Sequence, residues 1–283
     1  MTDTALQQEI ATELQVVQNF DPTIEAERRI NFLADYLRTT GMKGYVLGIS
    51  GGVDSSLGGR LAQMACERLR NEGYDATFVA MRLPYHEQAD EADAQAALEF
   101  VAADEVATVD IGPATDALWD ATAGTDSADE AVMNEFGRGN VKARQRMVAQ
   151  YTLAAARSML VIGTDQAAEA VVGFYTKYGD GACDLTPLAG LTKRMVRATA
   201  RHLGAPDAIV EKVPTADLES DRPLRADEEA LGVSYDHVDD YLEGLEVPEE
   251  AERTILQHYF KTIHKRAMPV TPLDFETRQR GGA

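Results

Sequence analysis

Apolar residues recur along this chain in two rhythms. Between residues 53 and 71, Val53, Leu57, Leu61, Met64 and Leu69 return at helical spacing, the stripe of a helix with one covered face. The flanking stretches, GYVLGIS at 44–50 and ATFVAMRL at 76–83, are short and almost unbroken apolar runs. Runs of that kind suit strands covered on both faces. The alternation continues with a helix at 87–103, the strand EVATVDI at 105–111, a short helix at 114–123, a long helix at 139–158 and the strand MLVIGT at 159–164. Upstream, residues 3–19 pattern as a helix, and a second helix at 23–40 opens after Asp21-Pro22 and stops at Gly41. A helix at 248–266 is expected near the end.

Strands separated by helices predict an α/β fold, a three-layer, doubly wound parallel sheet with helices on both faces. Ligands on such sheets sit outside the carboxyl ends of the strands. Ser50, Arg82, Asp110 and Thr164 all fall there. Two polar segments punctuated by Gly or Pro, YTKYGDGACD at 175–184 and PTADLESDRP at 214–223, read as loops that close over a site. Without internal repeats or a low-complexity linker, the chain reads as a single domain over 1–283. Its parts are N-terminal helices (1–40), a core (about 41–205) and a C-terminal loop and helical part (about 206–283).

Composition narrows the possible partners. The chain has 283 residues, enough for a full core. Its 27 basic and 47 acidic residues give a formal charge of −20, which opposes nucleic-acid binding while leaving room for a local basic pocket. No apolar run is long enough to span a membrane, and the first twenty residues lack the basic and apolar regions of a secretory signal. Two distant cysteines, Cys66 and Cys183, exclude a structural zinc or iron–sulfur site and suit a reducing compartment. A cytoplasmic location is the expectation.

The most informative stretch is YVLGISGGVDSSLGGRLA, Tyr45 to Ala62. A glycine-rich turn between strand and helix aims backbone N–H groups and the helix's positive end at one point, a cradle for phosphate. The lysine of a P-loop is missing, and so is the GxGxxG dinucleotide fingerprint. Asp54 stands in the first helical turn instead. A carboxylate there repels bare phosphate but makes sense if Mg²⁺ bridges the two. The alternative is a tight turn with an ordinary helix-start aspartate.

SGGVDS, Ser50 to Ser55, resembles the pyrophosphate-binding loop of the N-type ATP pyrophosphatases, the adenine nucleotide alpha-hydrolase-like enzymes. The chain carries further motifs in order: MRLPYHEQADEADA (81–94), GNVKARQRM (139–147), GTDQAAEA (163–170), FYTKYGDGACDLTPLAGLTKR (174–194), PTADLESDRP (214–223) and HKR (264–266). Together they resemble the ammonia-dependent NAD synthetases over about residues 25–268.

That resemblance implies a set of site residues. Gly48, Ile49, Ser50, Gly51, Gly52, Val53, Asp54 and Ser55 match the ATP loop, with Thr164, Lys193 and Thr215 as further ATP contacts. Asp54 and Glu169 match the Mg²⁺ ligands, and Asp54 and Lys193 the catalytic groups. Arg144, Lys177, Asp184, His264 and Lys265 match the groups holding deamido-NAD, the nicotinic acid dinucleotide. The implied reaction is ATP-dependent amidation of deamido-NAD by ammonia, giving NAD, AMP and pyrophosphate through an adenylylated intermediate. A homodimer with helix 139–158 at its interface is implied too. A glutamine-using enzyme needs an amidase domain with a nucleophilic cysteine. Neither cysteine sits in such a setting, so free ammonia is the expected donor.

Local patterns bear on several of these residues. Arg144 falls in the stripe Val141, Val148, Tyr151, Ala155, and a guanidinium on an inward face needs an anionic partner unless it reaches a rim. Glu169 follows Asp165 by four and can share its helical face; it reads equally as a solvated helix acid. Two positions depart from the family pattern, Gln166 for a histidine and His86 for a glycine. His86 is expected to crowd the adenosine side or to face solvent. Rival readings are another enzyme of the superfamily, such as a GMP synthetase core or a tRNA-modifying ligase, and a non-catalytic nucleotide sensor. The acidic charge speaks against tRNA.

Overall fold

The computed structural model describes residues 4–86, 91–125, 133–216, 225–267 and 269–272. In chain order these form α1 (Thr4–Glu13), α2 (Pro22–Thr40), β1 (Gly44–Gly48), α3 (Val53–Asn71), β2 (Thr77–Arg82), α4 (Glu91–Val101), β3 (Glu105–Thr108), α5 (Gly112–Ala123), α6 (Glu135–Arg157), β4 (Leu160–Val161) and α7 (Ala167–Val172). Then come α8 (Lys193–His202), α9 (Asp207–Val210), β5 (Thr215–Ala216), β6 (Arg225–Ala226), α10 (Asp227–Leu231), α11 (Tyr235–Leu242), α12 (Glu249–Lys261) and α13 (Ile263–Arg266).

The main sheet is parallel, in the order β3-β2-β1-β4. Chain order reverses between β1 and β4, and the loops leaving those two strands flank a crevice. Both faces of the centre are covered, as the unbroken apolar runs require. Tyr45 and Leu47 of β1 pack with Leu57 and Leu61 of α3 in one core, while Val46 packs with Ala154 of α6 and Val161 in another. A third core joins α7, α11 and α12, through residues such as Val171, Tyr241 and Ile255.

Four expectations need correction. The helix expected at 3–19 stops at Glu13, because Gln15 and Asn19 take left-handed backbone and Val17 N–H donates to Gly190 O. β3 is an exposed edge, not a doubly covered strand, with Val106 54% exposed. The helix expected at 248–266 breaks at Thr262, whose hydroxyl donates to His258 O at 2.7 Å while Lys265 N–H turns back to Thr262 O. Finally, the stripe on α6 does not face inward: Arg144, Val148 and Ala155 are exposed, and Lys142, Ala143 and Ala154 are buried. Small alanines let α6 lie close to the sheet, with Tyr151 and Leu153 partly buried against the same core and Phe136 and Val148 left outside. The helix expected from residue 87 is described from Glu91 onward, and residues 217–223 of the second predicted lid lie outside the described residues.

Candidate active site

The loop after β1 holds itself open with its own serines. Gly51 takes φ +90°, a backbone that favours glycine, and a side chain there would press closely on the backbone of Asp93 and Ala94 in the first turn of α4. The Ser55 hydroxyl accepts from Ser50 N–H at 3.2 Å and lies 3.1 Å from Ser50 Oγ, which in turn accepts from Gly52 N–H at 3.3 Å. Gly48 N–H donates to Gln150 of α6 at 2.8 Å. Ile49 and Val53 send their side chains into the core, so only their backbone is left for the loop. Thr164, at the end of the strand across the crevice, approaches α3 beside Gly58, where a side chain would crowd its methyl group.

Asp54, Glu169 and Lys193 meet in this crevice. The Lys193 ammonium donates to Asp54 Oδ2 at 2.6 Å and to Glu169 Oε1 at 3.2 Å, and its side chain is 2% exposed. Burial works against that charge, but the two carboxylates outweigh it and hold the lysine above its ordinary pKa. Burial also pushes the Glu169 carboxyl upward, against the pull of Lys193, with Asp54 and Asp165 adding to the rise. Asp54 keeps a second oxygen, Oδ1, shielded from solvent and with no hydrogen-bond partner among the described residues. A pair of hard oxygen ligands with a spare buried oxygen suits Mg²⁺, which is commonly held by one or two carboxylates plus phosphates.

Lys193 opens α8 at an end where a cation opposes the helix dipole. The cost is met by Asp239, whose carboxylate accepts Lys193 N–H at 3.0 Å and Arg194 N–H at 2.7 Å. Tyr235 adds a ring 5.0 Å from the ammonium. Neither residue was singled out from sequence. The available signal was an acid and a tyrosine on the inward stripe of α11 with Val238 and Leu242.

The other predicted residues assemble around the segment after α7. Arg144 donates to Lys177 O at 3.2 Å, Lys177 Nζ to His264 O at 2.5 Å, and Lys265 Nζ to Gly173 O at 2.7 Å and Tyr175 O at 2.6 Å. The break at Thr262 turns His264 and Lys265 toward this segment. A cavity of about 290 Å³ lies here, lined by Lys177, Phe260, Lys261, Ile263, His264, Ala267 and Val270. Asp184 also braces the fold: its Oδ2 accepts Val161 N–H at 2.7 Å, and its Oδ1 takes a 3.5 Å contact from the Tyr151 hydroxyl. Between the two groups stands Asp165, pushed up to about 7 by burial and then by the charges of Asp180 and Asp54, with Lys265 opposing. Thr215 lies in β5, and its side chain is outside what is described.

The two departures have defined places. Gln166 is buried; its Oε1 caps α7 by accepting Ala168 N–H at 2.7 Å, and its Nε2 has no partner among the described residues. His86 is exposed, with half of its side chain open to solvent. It takes left-handed backbone, its N–H donates to Asp110 at 3.0 Å, and its Nε2 lies 2.8 Å from Asp116.

A doubly wound sheet with a glycine turn, an acid and a buried lysine at its switch point defines the adenine nucleotide alpha-hydrolase-like class. A profile of the NAD synthase family matches residues 25–269. The chain is 56% identical over 279 residues to an "NH(3)-dependent NAD(+) synthetase" of Paraburkholderia phytofirmans, covering 98% of this chain and 97% of that one. Among solved structures it resembles NAD+ synthetase from Burkholderia pseudomallei, with 56% identity, a TM-score of 0.81 and coverage of 95% and 98% of the two chains. It also resembles NMN synthetase from Francisella tularensis, with 33% identity, a TM-score of 0.77 and coverage of 90% and 99%. This chain belongs to the NAD synthase family.

Proposed function

We propose that the chain catalyses ATP-dependent amidation of deamido-NAD with free ammonia, giving NAD, AMP and pyrophosphate in the last step of NAD biosynthesis. The observation that supports it most is the buried meeting of Lys193 with Asp54 and Glu169 beside the glycine turn. An ionised carboxylate is a poor acyl donor because its oxygen leaves badly. The pyridine carboxylate of deamido-NAD therefore attacks the α-phosphorus of ATP. An O–P bond forms, the bond to the β-phosphate oxygen breaks, and pyrophosphate leaves into the Ser50–Ser55 turn. Ammonia then attacks the acyl carbon, AMP departs with the bond electrons, and the nitrogen loses a proton to give the amide.

The protein's part is positioning and electrostatics. The turn from Gly48 to Ser55 surrounds the departing phosphates, its shape fixed by the bonds of the Gly48, Ser50 and Gly52 N–H groups to Gln150, Ser55 and Ser50, with Thr164 and Thr215 completing the ATP site. Lys193 faces negative charge on the phosphoryl group. Arg144, Lys177, Asp184, His264 and Lys265 orient the dinucleotide so that its pyridine carboxylate reaches the phosphorus. Mg²⁺, when bound by Asp54 and Glu169, neutralises charge on the polyphosphate. The segments 175–184 and 214–223 shield the water-sensitive adenylate.

We also place the chain in the cytoplasm as one catalytic domain over 1–283, in a homodimer through α6. The outward Phe136 and Val148 of that helix, 68% and 48% exposed, support the dimer. Nucleic acid and membrane are not partners in this reading. Among the described residues no helix is long and apolar enough to cross a membrane.

The test is direct. The protein with MgATP, deamido-NAD and ammonium must yield NAD, AMP and pyrophosphate, and Asp54→Ala must abolish pyrophosphate release while keeping the native circular dichroism spectrum. Formation of ADP would refute the mechanism. Nicotinic acid mononucleotide supplied in place of the dinucleotide tests the other substrate size; faster turnover with it would overturn the dinucleotide assignment.

A further inference from the structure

Lys193 holds two carboxylates that are also offered to a metal. Its ammonium has three donors, and Asp54 Oδ2 and Glu169 Oε1 take two of them. The tyrosine ring on another side and the 2% exposure of its side chain restrict access by water. Its backbone is fixed, since its N–H is bound by Asp239 and its carbonyl begins α8. Only the side-chain torsions can carry the ammonium elsewhere.

We propose that the Lys193 ammonium and the divalent cation compete for Asp54 and Glu169, so that metal enters together with nucleotide rather than ahead of it. This rests on the reading of Asp54 and Glu169 as metal ligands. With the ammonium between them, the pair presents a net charge of only about −1, and an arriving dication meets a cation at contact range. Phosphate oxygens in the adjoining turn are acceptors that the ammonium can reach. Once it donates to them, both carboxylates face the metal, and the spare Asp54 Oδ1 can join. Nucleotide then raises metal affinity in two ways, by adding oxygen ligands and by removing a competitor.

Mn²⁺, which shares the preference for oxygen ligands, gives a binding signal independent of turnover. Its free aqueous electron paramagnetic resonance is titrated away by full-length protein without nucleotide. Lys193→Met must bind Mn²⁺ at least about tenfold tighter than the unsubstituted chain, because a neighbouring cation has gone. Lys193→Arg, which keeps the charge, must stay weak. Asp54→Asn combined with Lys193→Met must lose the gain.

No gain in a folded Lys193→Met overturns the competition, while the pyrophosphate assay of Asp54→Ala judges the metal reading separately. A gain that survives in the double variant shows that Asp54 is not the ligand, and the proposal falls with its premise. Should Lys193→Met not fold, Lys193→Ala is titrated with and without ethylammonium. The added ammonium must weaken Mn²⁺ binding there; an unchanged affinity overturns the proposal.

Discussion

Replacing Asp165 by Asn isolates the cost of a partly buried acid that interacts with Asp180, Asp54 and Lys265. The folded protein holds the Asp165 proton up to about pH 7, mainly through burial and then through Asp180 and Asp54, whereas the ordinary value is 3.8. Between those limits the folded state binds the proton and the unfolded chain does not. Stability therefore falls as pH rises through the window and levels off above about 7. At about 1.4 kcal/mol per pH unit, the full window caps the loss at about 4 kcal/mol. Local relaxation and water entry make about 2 kcal/mol a fairer expectation. Asn has nearly the same shape and no charge to bury, so the variant must be more stable at pH 8 by that amount and nearly equal at pH 4. The assay is urea unfolding followed by circular dichroism at pH 4, 5, 6, 7 and 8, without nucleotide or divalent metal. The difference between the two proteins cancels the titrating groups that do not interact with Asp165. Parallel stability curves across the whole range would refute the reasoning.

Three further outcomes follow from particular contacts. Gly51→Ala places a methyl group 3.1 Å from the backbone of Ala94 at φ +90°; it must cost about 1–3 kcal/mol in thermal unfolding and raise the KM for ATP. Arg144→Ala removes an exposed side chain that, among the described residues, makes one hydrogen bond, to Lys177 O. Its stability must stay within about 0.5 kcal/mol, while the KM for deamido-NAD rises at least about tenfold for loss of a charged hydrogen bond. Gly163→Ala drives a Cβ to 2.4 Å from Cys183 Sγ and must destabilise by about 1–3 kcal/mol. Adding Cys183→Ala must recover part of that loss, and a strictly additive double variant would show that the two positions do not share the strain.

Local signals carried most of the fold. The unbroken runs at 44–50 and 76–83 became neighbouring central strands, with Gly44 paired to Thr77 and Gly48 to Met81. Gly41 ends α2 in left-handed backbone, as its position after a helical pattern implied. EVATVDI misled because the composition of a strand says nothing about its place at the sheet edge. The stripe on α6 misled for a related reason, since an apolar row does not say whether its cover lies inside this chain or on another. At the site, SGGVDS and Glu169 were visible as motifs. The bonds from Lys193 to both acids were not, because they join positions 139 and 24 apart. Neither was the role of Asp239, which offsets an unfavourable lysine at a helix start from another element. Gln166 and His86, read as departures from the family pattern, are a helix cap and an exposed side chain held by Asp110 and Asp116.

The hinge at Thr262 has a consequence for how the enzyme comes into being on the ribosome. Lys265 grips carbonyls of Gly173 and Tyr175, about ninety positions earlier, and Arg266 reaches Ala170. A nascent chain can complete its central strands and its glycine turn long before those basic residues clear the exit tunnel. The pocket edge around Gly173 and Tyr175 must then wait for the final stretch of translation, so a message truncated shortly before codon 262 would yield a well-packed body with an unfinished mouth.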